Sequence, residues 1–207
     1  DVNFKKEVCA VADNVKWLNN PIQTGHGDGS SSTHGAGLNY GVKHVTDEWV
    51  FICDNDTAVT NKSFFTEFFN KVDEGYTLIG NSQDPIRIRA VFATGFLVKT
   101  SVVKKVDLGP KYQGKTQIWD TTNGLTAYVR DNNLKYYIFR NTWNDFDLVD
   151  IINEPFKSLG KTCGVDRCLD SNNNIMFIHL GRGTTKFGNM YGQHGKKTYS
   201  DWKDFLK

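Results

Sequence analysis

Apolar residues fall along this chain in short runs, and their spacing alternates between the two-residue period of strands and the 3.6-residue period of helices. Phe4, Val8, Val11 and Ala12 share one helix face behind a candidate cap at Asn3, which predicts a helix over 3–13. Val15–Leu18 reads as a short strand closed by Asn19-Asn20-Pro21. Residues 22–37 carry Gly, Ser, Thr and His without periodicity and predict a loop; Leu38, Val42 and Val45 then mark one side of a helix. Trp49–Cys53, an unbroken apolar run, predicts a buried strand covered on both faces, as in a parallel sheet. Phe64, Phe65, Phe68, Phe69 and Val72 line one face of an amphipathic helix ended by Gly75.

Further on, Tyr76–Gly80 and Ile88–Lys99 read as strands, the second interrupted at Gly95. Residues 100–118 look irregular apart from a short helix near 101–106. Gly124–Asn133 predicts a helix, Leu134–Phe139 a strand and Ile175–Leu180 a last buried strand. Trp202, Phe205 and Leu206 have helical spacing in the tail, 187–207, and suit docking on the domain or on a partner. Strands and helices alternate early and mix later, which predicts an α/β fold in one domain over 1–207, with a mainly parallel central sheet flanked by helices.

Charge and cysteine content narrow the function. With 25 basic against 23 acidic side chains and no Lys/Arg run, nothing suits nucleic acid. No apolar segment reaches the roughly 18 residues of a membrane span, and no secretory segment is visible, so a cytoplasmic setting is expected. Cys53, inside the apolar run, reads as a small core residue. Cys163 and Cys168 lack a second pair at zinc-like spacing.

Two places carry candidate chemistry. The run from Trp49 ends at Asp54-Asn55-Asp56, and alternate residues of an extended chain share a face. Two carboxylates converging at the carboxyl end of a strand suit Mg²⁺ or Mn²⁺; the plain alternative is a solvated turn. The Gly/Ser loop before Leu38 feeds a helix N-terminus, whose free N–H groups suit phosphate; the plain reading of such a composition is a flexible linker. It lacks the Gly-Lys-Ser/Thr of a P-loop.

Asn39-Tyr40-Gly41-Val42, the apolar strand and Asp54-Asn55-Asp56 together resemble the central signature of family 2-like GT-A glycosyltransferases. Phe92–Val98 is similar to the acceptor-side strand of that family, Trp119-Asp120 to the segment with the catalytic base, and Ile178–Thr184 to its late strand and His-containing loop. The resemblance spans roughly 10–185. It does not include the opening βαβ segment that holds the nucleoside in such enzymes, so an N-terminal portion of the fold is expected to lie outside this sequence, the alternative being a different way of holding the nucleoside.

The resemblance implies a GT-A-like, Rossmann-like catalytic domain moving a sugar from a nucleoside-diphosphate donor, UDP first among them, to an acceptor hydroxyl, with inversion. It implies Asp56 as the direct ligand of Mn²⁺ or Mg²⁺, Asp54 reaching the ribose or a metal-bound water, and His179 as a further ligand or diphosphate contact. It implies Asp120 as general base; the plain alternative is an N-cap, with Thr121 and Thr122 as competing caps, and the two roles are not exclusive. Asn39, Asn55, Arg182 and Lys186 fall to the donor, and Trp119 and Gly95 to a carbohydrate acceptor; His26, His34 and Gly35 are candidates for the donor phosphates by their place in the Gly/Ser loop, where a His is more often simply exposed. Asp145-Phe146-Asp147 repeats the acidic pattern with no buried strand before it, and a capping or solvated role is expected. Two rivals remain: a haloacid-dehalogenase-like phosphatase, whose motif wants Thr or Val where Ala58 stands, and a non-catalytic sugar- or nucleotide-binding domain.

Overall fold

The computed structural model describes residues 14–19, 31–54, 57–84, 87–154 and 166–179. The helix expected over 3–13, the residues His26, Asn55, Asp56, Arg182 and Lys186, and the tail 187–207 lie outside them.

The centre is a four-stranded sheet in the order β1 (Trp49–Cys53), β4 (Gly95–Lys99), β3 (Leu78–Gly80), β7 (Tyr136–Ile138). Strand periodicity sorts its side chains onto two faces. Val50, Ile52, Leu78, Phe96, Val98, Tyr136 and Ile138 point to one cluster, completed by Val42 of α1 (Ser31–Lys43), Val102 and Val103 of α3 (Thr100–Val103), and Leu125 and Val129 of α4 (Asn123–Asp131). Trp49, Phe51, Ile79, Leu97 and Tyr137 point to the other, where Phe64 and Phe68 of α2 (Phe64–Asp73) meet Phe177. β1 thus makes apolar contacts on both faces, but only Ile52 is buried; Trp49, Val50 and Phe51 are half-buried and Cys53 is exposed, because β1 is the edge strand of the described sheet rather than the fully buried strand expected.

The pairing is not the mainly parallel one expected. β1–β4 and β3–β4 are antiparallel, and only β3–β7 is parallel. An apolar run reports apolar contact on both faces, not strand direction, and helices on one side with a second sheet on the other cover an antiparallel pair equally well. That second sheet is β2 (Thr57–Val59), β9 (Ile175–His179) and β8 (Asp166–Leu169), antiparallel throughout. β5 (Lys111–Gln113) and β6 (Thr116–Trp119) form a hairpin inside the stretch expected to be irregular.

Other boundaries differ for local reasons. Val15–Leu18 is not a strand. The loop expected over 22–37 is already helix from Ser31, because α1 spends its first turns on small residues that carry no apolar signal. Of Ile88–Lys99 only Gly95–Lys99 is strand, with an isolated bridge from Val91 to Gln83. Cys53 is exposed at the end of β1 rather than in the core. Helix α2 ends as predicted: Gly75 takes φ +86°, and the N–H groups of Gly75 and Tyr76 donate to the carbonyls of Val72 and Lys71. Phe65 and Phe69 of that helix are exposed, so its apolar stripe is wider than the face it buries. Asp145 caps a 3-10 turn, Phe146–Ile151, by accepting from the Asp147 N–H.

Candidate active site

The carboxyl end of β1 delivers Asp54 out of the sheet. Thr57 Oγ1, at the start of β2, donates to the Asp54 carbonyl at 2.6 Å. β2 lies beside β9 with Thr57 opposite His179, and β9 lies beside β8 with His179 opposite Asp166. This order across the small sheet brings His179 Nε2 to 3.9 Å from Asp54 Oδ2. On the other side His34 Nε2 approaches Asp54 Oδ1 at 3.2 Å. Asp54 thus sits between two imidazoles, one from a helix and one from a strand.

Behind His179, Asp166 is buried. Burial pushes its carboxyl up to about 6, against the His179 charge, the Trp143 N–H and Arg167, which favour the anion. The Trp143 N–H donates to its Oδ1 at 3.1 Å. A buried carboxylate beside an imidazole fixes the ring and favours its proton on the nitrogen facing the acid.

Asp120 lies at the end of β6, just before α4. Its Oδ1 accepts from Ser31 Oγ at 2.6 Å, Gln117 Nε2 at 3.0 Å and the Thr121 N–H at 2.8 Å. Its Oδ2 is 3.2 Å from Arg87 Nη1, which is also 3.2 Å from Asp84 Oδ2. The capping role does not hold: Thr122 occupies the N-cap position of α4. Asp120 instead donates its own N–H to Asn123 Oδ1 at 2.8 Å. Thr122 adopts φ +70°, a conformation rarely tolerated by a β-branched residue. It is held there by its N–H on the Leu108 carbonyl and its hydroxyl on the Val91 carbonyl. Backbone strain of this kind concentrates at functional sites.

Helix α1 joins the two acids. Ser31 reaches Asp120, and His34, three residues on and on the same face, reaches Asp54. The helix is seated by two residues expected at the donor. Asn39 donates to Asp107 Oδ1 at 2.6 Å and accepts from the Leu108 N–H at 2.9 Å. Asp107 is in consequence held below the usual carboxylate range, first by the Gly109 N–H and then by Asn39. A Cβ on Gly35 would stand 2.6 Å from Gly109 Cα, so only glycine lets α1 lie this close. Gly95 is likewise shut in, a Cβ there standing 2.8 Å from both Asn81 Nδ2 and a Phe177 ring carbon. Trp119 is half-buried, with Lys111 Nζ 3.7 Å above its ring.

Sequence reasoning missed Ser31, Asp84, Arg87, Gln117 and Asp166. None sits in a motif; each is defined by the partner it meets across the fold. Among the described residues no group of three His, Cys, Asp or Glu side chains is arranged to hold a metal ion. Among them, too, no helix is long and apolar enough to cross a membrane. No family model matches the chain, and a search of curated proteins found no match.

Proposed function

We propose that this chain is a GT-A-like glycosyltransferase that moves a sugar from a nucleoside diphosphate, UDP first among them, to the hydroxyl of a carbohydrate acceptor with inversion. One observation carries the reading: Asp54 and Asp120, far apart in sequence and assigned different tasks, are gripped by adjacent positions of one helical turn of α1. Ser31 and His34 are three residues apart on one helix face, so α1 ties both acids to one side of the site.

In this reading Asp120 receives the proton of the attacking hydroxyl. Asp54 and His179, with Asp56, would hold Mn²⁺ or Mg²⁺, and His34 lies in the first turn of α1, where N–H groups suit diphosphate. A carboxylate flanked by imidazole nitrogens fits such an ion in chemical kind, and imidazole favours Mn²⁺ over Mg²⁺. When bound, the ion supplies positive charge against which a diphosphate departs. Arg182 and Lys186 are assigned to the phosphates and Trp119 to the acceptor sugar.

Thermal shift with UDP-, GDP- and dTDP-sugars, each with and without Mn²⁺, tests the proposal. The expected result is stabilisation by one nucleotide class that needs the metal. Turnover of a phosphate ester without nucleotide stabilisation would put a phosphatase in its place, and stabilisation by metal-free glycans alone would point to a binding domain.

A further inference from the structure

The two oxygens of Asp120 are not equivalent. Oδ1 accepts from a hydroxyl, an amide and a backbone N–H, which leaves it little room for a further donor. Oδ2 meets only Arg87 Nη1 among the described residues. Arg87 is in turn held from both sides. Asp84, 3% exposed at its side chain, pairs with the same Nη1. The loop carrying Arg87 is closed at its neck by the Asp84 N–H on the Ala90 carbonyl at 2.8 Å. Arg130, on the helix that Asp120 precedes, donates to the Ile88 and Arg89 carbonyls at 2.6 Å each.

We propose that Arg87 is a positioning residue for Asp120 and that Oδ2 is the oxygen that takes the acceptor's proton, an inference that rests on the glycosyltransferase reading. As the acceptor O–H bond breaks, the proton passes to Oδ2 and the oxygen's electron pair forms the bond to the anomeric carbon. The bond from that carbon to the diphosphate breaks, and its electrons leave with the diphosphate. Arg87 fixes the rotation of the carboxylate so that Oδ2 faces the acceptor, and Asp84 fixes Arg87. Guanidinium geometry matters because Nη1 directs its two in-plane N–H groups in fixed directions towards Asp84 and Asp120, whereas a lysine ammonium rotates freely on a flexible stem.

The test compares Arg87→Met, Arg87→Lys and Asp84→Asn/Arg87→Met with the parent chain. UDP release is followed from UDP-glucose, UDP-galactose and UDP-N-acetylglucosamine, with simple methyl glycosides as acceptors, and binding of UDP, GDP and dTDP with Mn²⁺ is measured by calorimetry. Arg87→Met is expected to keep its UDP–Mn²⁺ Kd within about twofold and to lose about 100-fold in kcat, the scale of a misaimed catalytic group. Arg87→Lys recovers part of that loss, since a lysine still reaches one carboxylate. The double variant removes the Asp84 charge together with the guanidinium, so it separates aim from folding; it is expected to repeat the kcat loss. Parent-like kcat in both Met-bearing variants, alongside an inactive Asp120→Asn, overturns the proposal. If the parent binds none of UDP, GDP or dTDP with Mn²⁺, the glycosyltransferase reading fails instead; if Asp120→Asn transfers sugar normally, the assignment of Asp120 as base fails; this inference falls with either.

Discussion

Asp54 and Asp120 are both partly exposed carboxylates just past the end of a strand, and both are reached from α1, yet their surroundings are opposite in kind. Asp54 faces imidazoles, groups that exist in two protonation states and that also bind metals. Asp120 faces a hydroxyl, an amide, a backbone N–H and a guanidinium, none of which changes charge near neutral pH. One acid is set in an adjustable environment and the other in a fixed one. A carboxylate meant to share a cation gains from neighbours that can share it too. A carboxylate meant to accept one proton along one direction gains from donors that do not move.

The sharpest way to break this contrast is to neutralise each acid in turn. Asp120→Asn is expected to lower transfer by at least about 10²-fold, the lower range for a general base, with UDP–Mn²⁺ binding unchanged by calorimetry. Asp54→Ala is expected to abolish Mn²⁺-dependent donor binding. If the two variants have the same phenotype, the division of labour is wrong. Weakened binding with normal turnover in Asp120→Asn would reverse the assignment.

The imidazole side carries a pH signature through Asp166. Its carboxyl holds a proton up to about 6 when folded. Folding therefore favours its protonated form, a contribution present below the ordinary carboxylate range near 4 and lost as pH rises through about 6. Asp166→Asn does not titrate, so its stability relative to the parent should rise between pH 4.5 and 7.5, by at most ~3 kcal/mol. Urea melts of the metal-free proteins measure the difference. A gap that stays flat with pH would mean that Asp166 is not buried beside His179.

How much of this was legible in the sequence depends on what each element uses to hold itself. The core strands and α2 announce themselves because Trp49–Cys53, Phe64–Phe68 and Ile175–Ile178 are apolar at the right period. Helix α1 hides its start because Ser31, Ser32 and Thr33 pack nothing apolar, so a helix turn that positions two acids looks like a linker. The hairpin Lys111–Trp119 hides because it is mostly exposed. Asp54, Asp120 and His179 were nameable from motif order and His34 from its place in the Gly/Ser loop, and the structure brings His34 and His179 to Asp54. Asp166, Arg87 and Asp84 were not, because an acid paired across strands and an arginine shared by two acids have no spacing in one dimension. Asn39 and Gly35 show the converse. The resemblance suggested the donor for Asn39 and the Gly/Ser loop suggested it for Gly35, while the contacts they make seat the helix.

Because α1 touches both acids, loosening it should blur them together. Gly35→Ala places a methyl 2.6 Å from the Gly109 backbone, and neither backbone can yield without moving the helix or the 107–109 loop. Overpacking of this kind costs about 1–3 kcal/mol. The expected result is a lower melting temperature together with losses in both donor binding and kcat. A stable variant impaired in only one of the two would show that the acids are positioned independently of α1.

The smallest effect sharpens the comparison most. Ser31→Ala removes one of the three donors on Asp120 Oδ1 and leaves Gln117 and the Thr121 N–H in place. A lost hydrogen bond of this sort is worth about 0.5–1.5 kcal/mol, so kcat should fall by about tenfold at most, with donor affinity unmoved. His34→Ala, one turn along, should do the reverse, weakening Mn²⁺-dependent donor binding while sparing the turnover of whatever donor is bound. Two truncations three residues apart on one helix face, with separate phenotypes, would show that a single turn of α1 serves two chemically distinct acids. Identical phenotypes would reduce α1 to a support for the site as a whole.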